Sequence, residues 1–524
     1  MKEFCFNFIK NHKNIIGIIF NVLVLIFLSI YLFCQFRYSI VAGDDILDYI
    51  CEDLRFYHGR FIPLFLTNLF IETIPKFFNI PIQNFAFFSE GIVKLVIFLF
   101  FINICSISFF KNNKISFFSG ILYCIIFIFI NNVINYLNAS ILLRQNAFFI
   151  GYFLPIPIFL LLWYKLAYYY TNETEITKKD FFIISFLVFL MPQLNEFVGI
   201  VSFLLLLFLI KKLNFLLIPL FIISEILTIV LLYPNTISVI SDKLRNLPDF
   251  NIFSIQNIND FLYGIYKCII TDNIFYWLFL ILLVGLLILN CNSNKTKNIL
   301  KFYLFSYISI IIFFVSLYFM GLSNNYIESN IFPDVKNFWI TYFSLLFQLK
   351  TFLFVSILYL FGFLISIKEQ INTVYKNHLS YGFFILFLII CINIPKFSFD
   401  LDHNYNDIKL KQYIYLLDKI SVFYLKQGKT AILPKSQVYR VLPENVMPSN
   451  LNNIDDSEQI FYFSNDVYEH QNFYLKYIEK IYNVDISPGM TFRNDEDAIK
   501  IFLKNGGSIK ESEIKLLDFR KITE

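Results

Sequence analysis

Long apolar segments recur through the first 395 residues, and they constrain this chain more than any other feature of its sequence. A helix needs about 20 mostly apolar residues to cross a bilayer, and most of these segments reach that length. The sequence therefore predicts a polytopic α-helical membrane protein with about eleven transmembrane helices, near residues 15–34, 85–110, 115–134, 147–169, 181–194, 197–210, 213–233, 273–290, 299–321, 343–367 and 377–395.

Lysines recur in every second gap between these segments and indicate the orientation of the chain. They lie before the first segment and near 111–114, 178–179, 211–212, 295–301 and 368–376. Lysine-rich loops are normally cytoplasmic. We therefore expect a multi-pass protein of the plasma (inner) membrane with a cytoplasmic N-terminus. An odd number of spans then puts the C-terminal part outside, with the loops 35–84, 135–146, 234–272 and 322–342.

Charge density divides the chain into two domains. Residues 396–524 hold 36 of the 82 charged residues (43 Lys and Arg plus 39 Asp and Glu), about 28% of their positions, against about 12% in residues 1–395. In the C-terminal part, helical patterns (404–427, 472–483 and 496–505) alternate with short β-like runs (430–433 and 459–464), which is typical of a small α/β domain. We predict a transmembrane domain over 1–395 and an extracytoplasmic soluble domain over 396–524. A net charge of +4 without a basic stripe argues against nucleic acid as a partner.

The first outer loop, 35–84, carries the residues best suited to chemistry. Gly43 is followed by Asp44 and Asp45, and the pattern of residues 45–57 predicts an amphipathic helix lying on the membrane surface. At the N-terminal end of that helix the macrodipole favours ionised carboxylates, the state that a general base or a metal ligand requires. A surface helix with Asp44 as its N-cap and its other acids solvated is the alternative.

A cationic turn follows the predicted surface helix. His58, Gly59 and Arg60 come directly after it, and an arginine can bind a phosphate bidentately beside a carboxylate. Opposite charges in one pocket suit group transfer from a phosphate leaving group. We therefore predict Asp44 and Asp45 as catalytic residues, with His58 and Arg60 binding substrate.

At these residues the chain resembles the GT-C superfamily of membrane glycosyltransferases, including bacterial O-antigen glucosyltransferases of the Gtr type. Gly43-Asp44-Asp45 matches the acidic motif of their first extracytoplasmic loop, and Gly59-Arg60-Phe61 matches a Gly-Arg element that some members carry after it. The resemblance implies a polyprenyl-phosphate-linked sugar donor and a general base, which falls on Asp44. Asp45 is the second choice, or a ligand of a divalent cation such as Mg²⁺ or Mn²⁺; metal dependence stays open. The resemblance does not extend to the C-terminal domain.

Three further polar residues are predicted to bind substrate. Arg144 lies in the outer loop 135–146, where an arginine is otherwise solvated or bound to lipid headgroups. Asn195 and Glu196 separate the segments 181–194 and 197–210, which are too short for full crossings and would leave a turn recessed from the outer surface. Misplaced segment boundaries are the alternative there. Glu90 and Lys94, at i,i+4 spacing, are interpreted as a structural pair.

The predicted function is transfer of a sugar from a polyprenyl-phosphate donor to a glycan, lipid or protein acceptor on the extracytoplasmic side. A polytopic transporter or flippase is the rival from another class, and would carry charges at mid-span or paired interrupted helices. An O-antigen polymerase or ligase is a rival within glycan assembly, and a non-catalytic assembly protein is a further candidate. The identity of the sugar and the stereochemical outcome stay open.

Overall fold

The computed structural model describes residues 74–78, 82–109, 153–210, 215–232, 254–270, 274–290, 294–319, 347–368, 419–434, 482–485, 490–493 and 495–509, with isolated positions among 19–30, 62–69, 125–129, 416 and 478–479. The predicted spans 15–34, 115–134 and 377–395 fall mostly or wholly outside these residues.

The described part of the chain is mainly helical, as the sequence predicts. Beyond a single turn at Ile74–Phe77, the helices that the structure describes along their whole length before residue 396 are α1 (Ile82–Phe109), α2 (Pro155–Asn172), α3 (Lys178–Leu194), α4 (Glu196–Leu209), α5 (Leu217–Leu232), α6 (Ile255–Gly264), α7 (Ile274–Asn290), α8 (Asn294–Phe319) and α9 (Phe347–Lys368). A π-helical turn at Ile265–Ile270 continues α6.

One described helix is long and apolar enough to cross a membrane by length and composition, over Asn294–Ser316 in α8. Shorter apolar stretches lie at Ile92–Ser108, Phe197–Leu209, Leu217–Thr228, Ile274–Ile288 and Leu349–Leu364. The described residues therefore establish a mainly helical fold in which one helix is both long and apolar enough to span a membrane, together with shorter apolar stretches at positions where the sequence predicts further spans.

Helix α2 is the centre of the bundle, because it contacts α1, α3, α4, α8 and α9. Its Trp163 is fully buried, and the indole ring packs against Phe302 of α8 and against Phe352 and Tyr359 of α9, with ring centroids 5.4 Å apart in each pair. The indole Nε1 donates a hydrogen bond to Ser306 Oγ at 3.0 Å, so the polar end of the largest core side chain is satisfied.

Side-chain contacts fix the direction of neighbouring helices. Lys165 near the end of α2 bonds Asp180 at the start of α3, and Glu173 just after α2 accepts a hydrogen bond from Asn298 at the start of α8. The C-terminal end of α2 thus meets the N-terminal ends of α3 and α8. We call this the lysine-rich end, because the first turns of α3 and α8 there carry Lys178, Lys179, Lys295 and Lys297.

Helix α6 lies within the outer loop 234–272, where the sequence pattern predicted no helix. Ser254 caps it by accepting a hydrogen bond from the Asn257 backbone N–H. Phe261 on its buried face packs on Tyr318 near the end of α8, with ring centroids 4.7 Å apart. Helix α6 therefore packs against the end of the bundle opposite the lysine-rich end.

The C-terminal residues hold two short parallel strands, β1 (Ala431–Pro434) and β2 (Met490–Arg493), and a helix, α10 (Asp495–Lys504), that packs on β1. The β-like run 430–433 and the helical pattern 496–505 are confirmed within one residue. The β-like run 459–464 lies outside the described residues, and β2 was not predicted. Parallel pairing needs a crossover connection, as in α/β folds.

Candidate functional site

The turn between α3 and α4 is the predicted site that the structure describes most fully. The two helices have 17 and 14 residues, about 26 and 21 Å at 1.5 Å per residue, against a hydrocarbon core of about 30 Å. Asn195 alone separates them, in an extended conformation. The predicted break at Asn195 is confirmed, but the first helix begins at Lys178, three residues before the predicted segment, and has 17 residues instead of 14.

Asn195 has a definite structural role at this turn. Its Oδ1 accepts a hydrogen bond from the Phe197 backbone N–H at 2.9 Å, and its carbonyl oxygen accepts one from the Gly199 N–H at 2.9 Å. The residue is thus the N-cap of α4, a position that asparagine favours. It is 3% exposed, so the turn is enclosed by protein.

A buried polar contact joins the end of α3 to α5. Pro192 lacks an N–H and so removes one bond from the last turn of α3. The Phe189 carbonyl accepts hydrogen bonds from Gln193 Nε2 at 3.3 Å and from the Ser224 hydroxyl of α5. Gln193 Nε2 also donates to Ser224 Oγ at 3.0 Å. The turn is therefore held by neutral polar groups shared between two helices.

The turn between α3 and α4 packs on the side of α8, before the end of that helix. Phe197, two residues after Asn195, packs edge-on against Phe313 of α8 with ring centroids 5.0 Å apart. Phe313 lies six residues before the end of α8 at Phe319, which is about 9 Å along the helix axis. The turn therefore lies short of the end of α8, and its depth in a membrane stays a prediction.

We expect Asn195→Ala to lower the free energy of unfolding by about 1 kcal/mol, because it removes the cap of α4. Asn195→Ser should recover most of that loss, since a serine hydroxyl also caps. Thermal unfolding of the purified chain in detergent measures both. Equal loss in the two variants would contradict the capping role; a serine variant that is stable but impaired in function would show that the amide serves the predicted substrate-binding role as well.

The remaining predicted site residues are not brought together by the described structure. Asp44, Asp45, His58, Arg60 and Arg144 lie outside the described residues. Glu196 is the first residue of α4, and only its backbone is described. Within the described ranges no three His, Cys, Asp or Glu side chains cluster as metal ligands would. The predicted carboxylate pair falls outside those ranges.

Lys94 of α1 is buried inside the bundle and is not part of a surface ion pair. Its side chain is 1% exposed, and it is the one charged side chain that is buried among those the structure describes. The structure does not describe the side chain of Glu90, the partner that spacing predicts. Ionisable groups inside apolar helices are costly and usually functional, so Lys94 joins the candidate residues of the bundle interior.

An ion pair closes the opposite, lysine-rich end. Lys165 Nζ lies 2.7 Å from Asp180 Oδ1, and Tyr169 donates a hydrogen bond to Asp180 Oδ2. Partial burial raises the pKa of the Asp180 carboxyl, but hydrogen bonds from Lys165 and Tyr169 and the charge of Lys165 lower it by more. The pKa therefore lies below its ordinary value, and Asp180 is ionised at neutral pH.

Asp180→Asn should destabilise the chain by about 1–2 kcal/mol at pH 7, since the neutral amide loses the charge that pairs with Lys165 and keeps one of the two acceptor oxygens, so that one of the two hydrogen bonds is lost. Because the folded-state pKa is lowered, this stabilisation is complete above the unfolded pKa of about 3.9 and is lost as pH falls through the folded value. Thermal unfolding of wild type and variant should thus converge in acid. The exposed pair of Asp497 and Lys500, 3.7 Å apart, is the control, and Asp497→Asn should change little. A constant difference at all pH values would contradict the assignment.

Searches of family models, curated proteins and solved structures find no match to this chain.

Proposed function

We propose that the chain is a polytopic membrane glycosyltransferase of the GT-C type. It transfers a sugar from a polyprenyl-phosphate-linked donor to a glycan, lipid or protein acceptor on the extracytoplasmic side. The observation that carries this proposal is the position of Gly43-Asp44-Asp45 in the first outer loop, directly behind the first predicted span. The helical fold supports the membrane part of the proposal.

The distribution of polar side chains in the bundle favours lipid as its solvent. Ile223 of α5, Ile281 of α7 and Ile311 of α8 are each more than half exposed, whereas Ser224 and Ser306 are buried. A water-soluble bundle normally places apolar residues inside and polar residues outside. Helices in a bilayer have no such need, and they often use small polar residues between helices.

The positions of the lysines favour the predicted orientation. The first turns of α3 and α8 carry their lysines at one end of the bundle, which the positive-inside rule makes cytoplasmic. The turn at Asn195 lies toward the other end. Asn195 and Glu196 would then approach the extracytoplasmic side, where the loop 35–84 is predicted.

In this proposal the acceptor hydroxyl loses its proton to Asp44 as its oxygen attacks the anomeric carbon of the sugar. The bond from that carbon to the lipid phosphate breaks, and the phosphate leaves with its electrons. Asp45 assists Asp44 or holds a divalent cation. Arg60, with Arg144 and His58, neutralises the charge that builds up on the departing phosphate.

A transporter is the second candidate, and the burial of Lys94 in α1 favours it, because charges inside a bundle mark transport pathways. The two functions differ in their products. A transferase adds a sugar residue, whereas a flippase delivers a complete lipid-linked glycan.

Mass spectrometry of lipid-linked and surface glycans, in cells with and without the gene, tests the proposal. We expect the deletion to remove one sugar residue from the surface glycan while its lipid-phosphate donor accumulates. Complementation with wild type should restore that residue. Accumulation of a complete lipid-linked glycan would support the flippase instead, and an unchanged glycan profile would reject both.

A further inference from the structure

Helix α5 lies at the side of the bundle, and one of its faces is exposed. Its main contacts with other described helices are to α3 and α4, where Phe221 packs on Phe203 of α4 with ring centroids 5.1 Å apart. We call the opposite side the outer face of α5. Its four large aliphatic side chains are 40–58% exposed: Ile222, Ile223, Ile226 and Leu227.

Hydrogen bonds to α3 fix the rotation of α5 about its axis. The Ser224 hydroxyl donates to the Phe189 carbonyl of α3 and accepts a hydrogen bond from Gln193 Nε2 at 3.0 Å. Thr228, one turn later, is buried on the same side. Successive residues of a helix are rotated by about 100°, so Glu225, which follows Ser224, is turned away from α3. The Glu225 side chain is accordingly exposed, at the edge of the outer face.

Glu225 lies half-way along an otherwise apolar helix. It is the ninth of the 16 residues of α5, and no described residue forms a hydrogen bond or an ion pair with its side chain. In the membrane placement proposed above, the carboxyl group lies near the middle of the hydrocarbon. A single acidic group is costly there, and such groups normally pair with one another or with other polar groups. A polar group on a second helix is therefore expected at the outer face of α5.

The sequence limits which helix can supply that group. The predicted spans 15–34, 115–134 and 377–395, which lie mostly or wholly outside the described residues, contain no lysine or arginine that would complement a carboxylate. A second copy of the chain offers Glu225 itself. Two carboxyl groups that share one proton form a hydrogen bond, because the protonated group donates and the other accepts.

Membrane geometry brings the two copies of Glu225 together. Both copies have the same orientation, so the twofold axis of a symmetric dimer runs along the membrane normal and equal residues lie at equal depth. Ile222, Glu225 and Ile226 have the i, i+3, i+4 spacing of residues that pack between two helices. We propose that the outer face of α5 joins two copies of this chain into a symmetric dimer, with their Glu225 side chains hydrogen-bonded across the axis. The dimer rests on the proposed membrane placement and does not depend on glycosyl transfer.

Photocrosslinking in intact membranes tests which partner covers the outer face. Two copies of the full chain with different epitope tags are co-expressed, and a photoreactive phenylalanine analogue replaces Ile226. The matched control has the same analogue at Ile281 of α7, a side chain that is 64% exposed on another helix. We expect illumination to give a product with both tags from position 226 and none above background from position 281.

Energy transfer between labelled copies in lipid vesicles, at a series of protein-to-lipid ratios, measures the strength of the dimer. Glu225→Leu should weaken dimerisation about five- to thirtyfold, the effect of an interhelical hydrogen bond in a membrane. Glu225→Gln should stay close to wild type, because an amide both donates and accepts. Ile222→Trp should weaken the dimer by crowding the interface, and Ile281→Trp, the same change on α7, should not. Size-exclusion chromatography shows that each variant is folded.

Several results would overturn the dimer. Crosslinks from position 226 that stay within one chain would show that another segment of this chain covers α5, and crosslinks to a different protein would show a different partner. Equal dimerisation of wild type and Glu225→Leu would show that the carboxyl group does not hold the copies together. If Glu225→Leu fails to fold, the crosslink at position 226 and the pair of tryptophan variants decide the result. An unchanged glycan profile in the deletion strain would reject the proposed transfer without affecting this result.

Discussion

Replacing Asp44 by Asn is expected to reduce sugar transfer by about 10²–10⁴-fold, the usual contribution of a general base. The amide keeps the size of the carboxylate and can still cap a helix, but it cannot accept the proton of the acceptor hydroxyl. Transfer is measured in membranes with a radiolabelled polyprenyl-phosphate sugar, at matched expression. The loss should fall on the rate constant rather than on the donor concentration at half-saturation.

Two further aspartate variants separate catalysis from the alternative of a solvated surface helix. Asp48→Asn removes one acid from the same predicted helix and should leave transfer nearly unchanged. Asp45→Asn should lower transfer in a way that added Mg²⁺ or Mn²⁺ partly restores, if Asp45 holds the cation. Equal activity of wild type, Asp44→Asn and Asp45→Asn would show that these acids are not the catalytic groups.

Trp163→Ala is expected to give the largest loss of stability, about 3–5 kcal/mol, the usual cost of truncating a buried tryptophan. The substitution empties the space between α2, α8 and α9 and removes the donor to Ser306 Oγ. We expect little folded protein to accumulate, and the remainder to unfold at a much lower temperature. Fluorescence-detected size-exclusion chromatography after a heating series measures both effects.

Two matched variants isolate the cause of that loss. Phe182→Ala truncates an aromatic side chain of α3 that is 74% exposed, and it should change stability little. Trp163→Phe keeps an aromatic ring but lacks the N–H, so it should show an intermediate loss. If Phe182→Ala and Trp163→Ala destabilise equally, the aromatic cluster around Trp163 does not hold the bundle together.

Local patterns were sufficient to predict most described helices of the bundle. The run 299–321 corresponds to α8 and 343–367 to α9, because apolar segments of more than 20 residues are much longer than ordinary strands and favour helix. The break at Asn195 was predicted from the polar pair that it forms with Glu196. Strand β1 was predicted from its short apolar run before a proline.

Features that depend on distant parts of the chain were not predicted. The i,i+4 spacing predicted Glu90 as the partner of Lys94. The burial of Lys94 was not predicted, because it depends on how the other helices pack around α1. The packing of α9 on α1 and α2 joins segments well over a hundred residues apart, which no local pattern reveals. Strand β2 is only four residues long, and its partner β1 lies more than fifty residues earlier. Pro488 and Gly489 before β2 were an available turn signal.

The central position of α2 has a consequence for biosynthesis. This helix is made early, yet one of its partners is α9, which begins nearly two hundred residues later, and α1 also packs on α9. The faces of α1 and α2 that α9 covers therefore stay without this partner until most of the bundle has been synthesised. Premature termination before residue 347 should leave an incompletely packed chain that cellular quality control removes, so shortened products are not expected to accumulate as stable fragments.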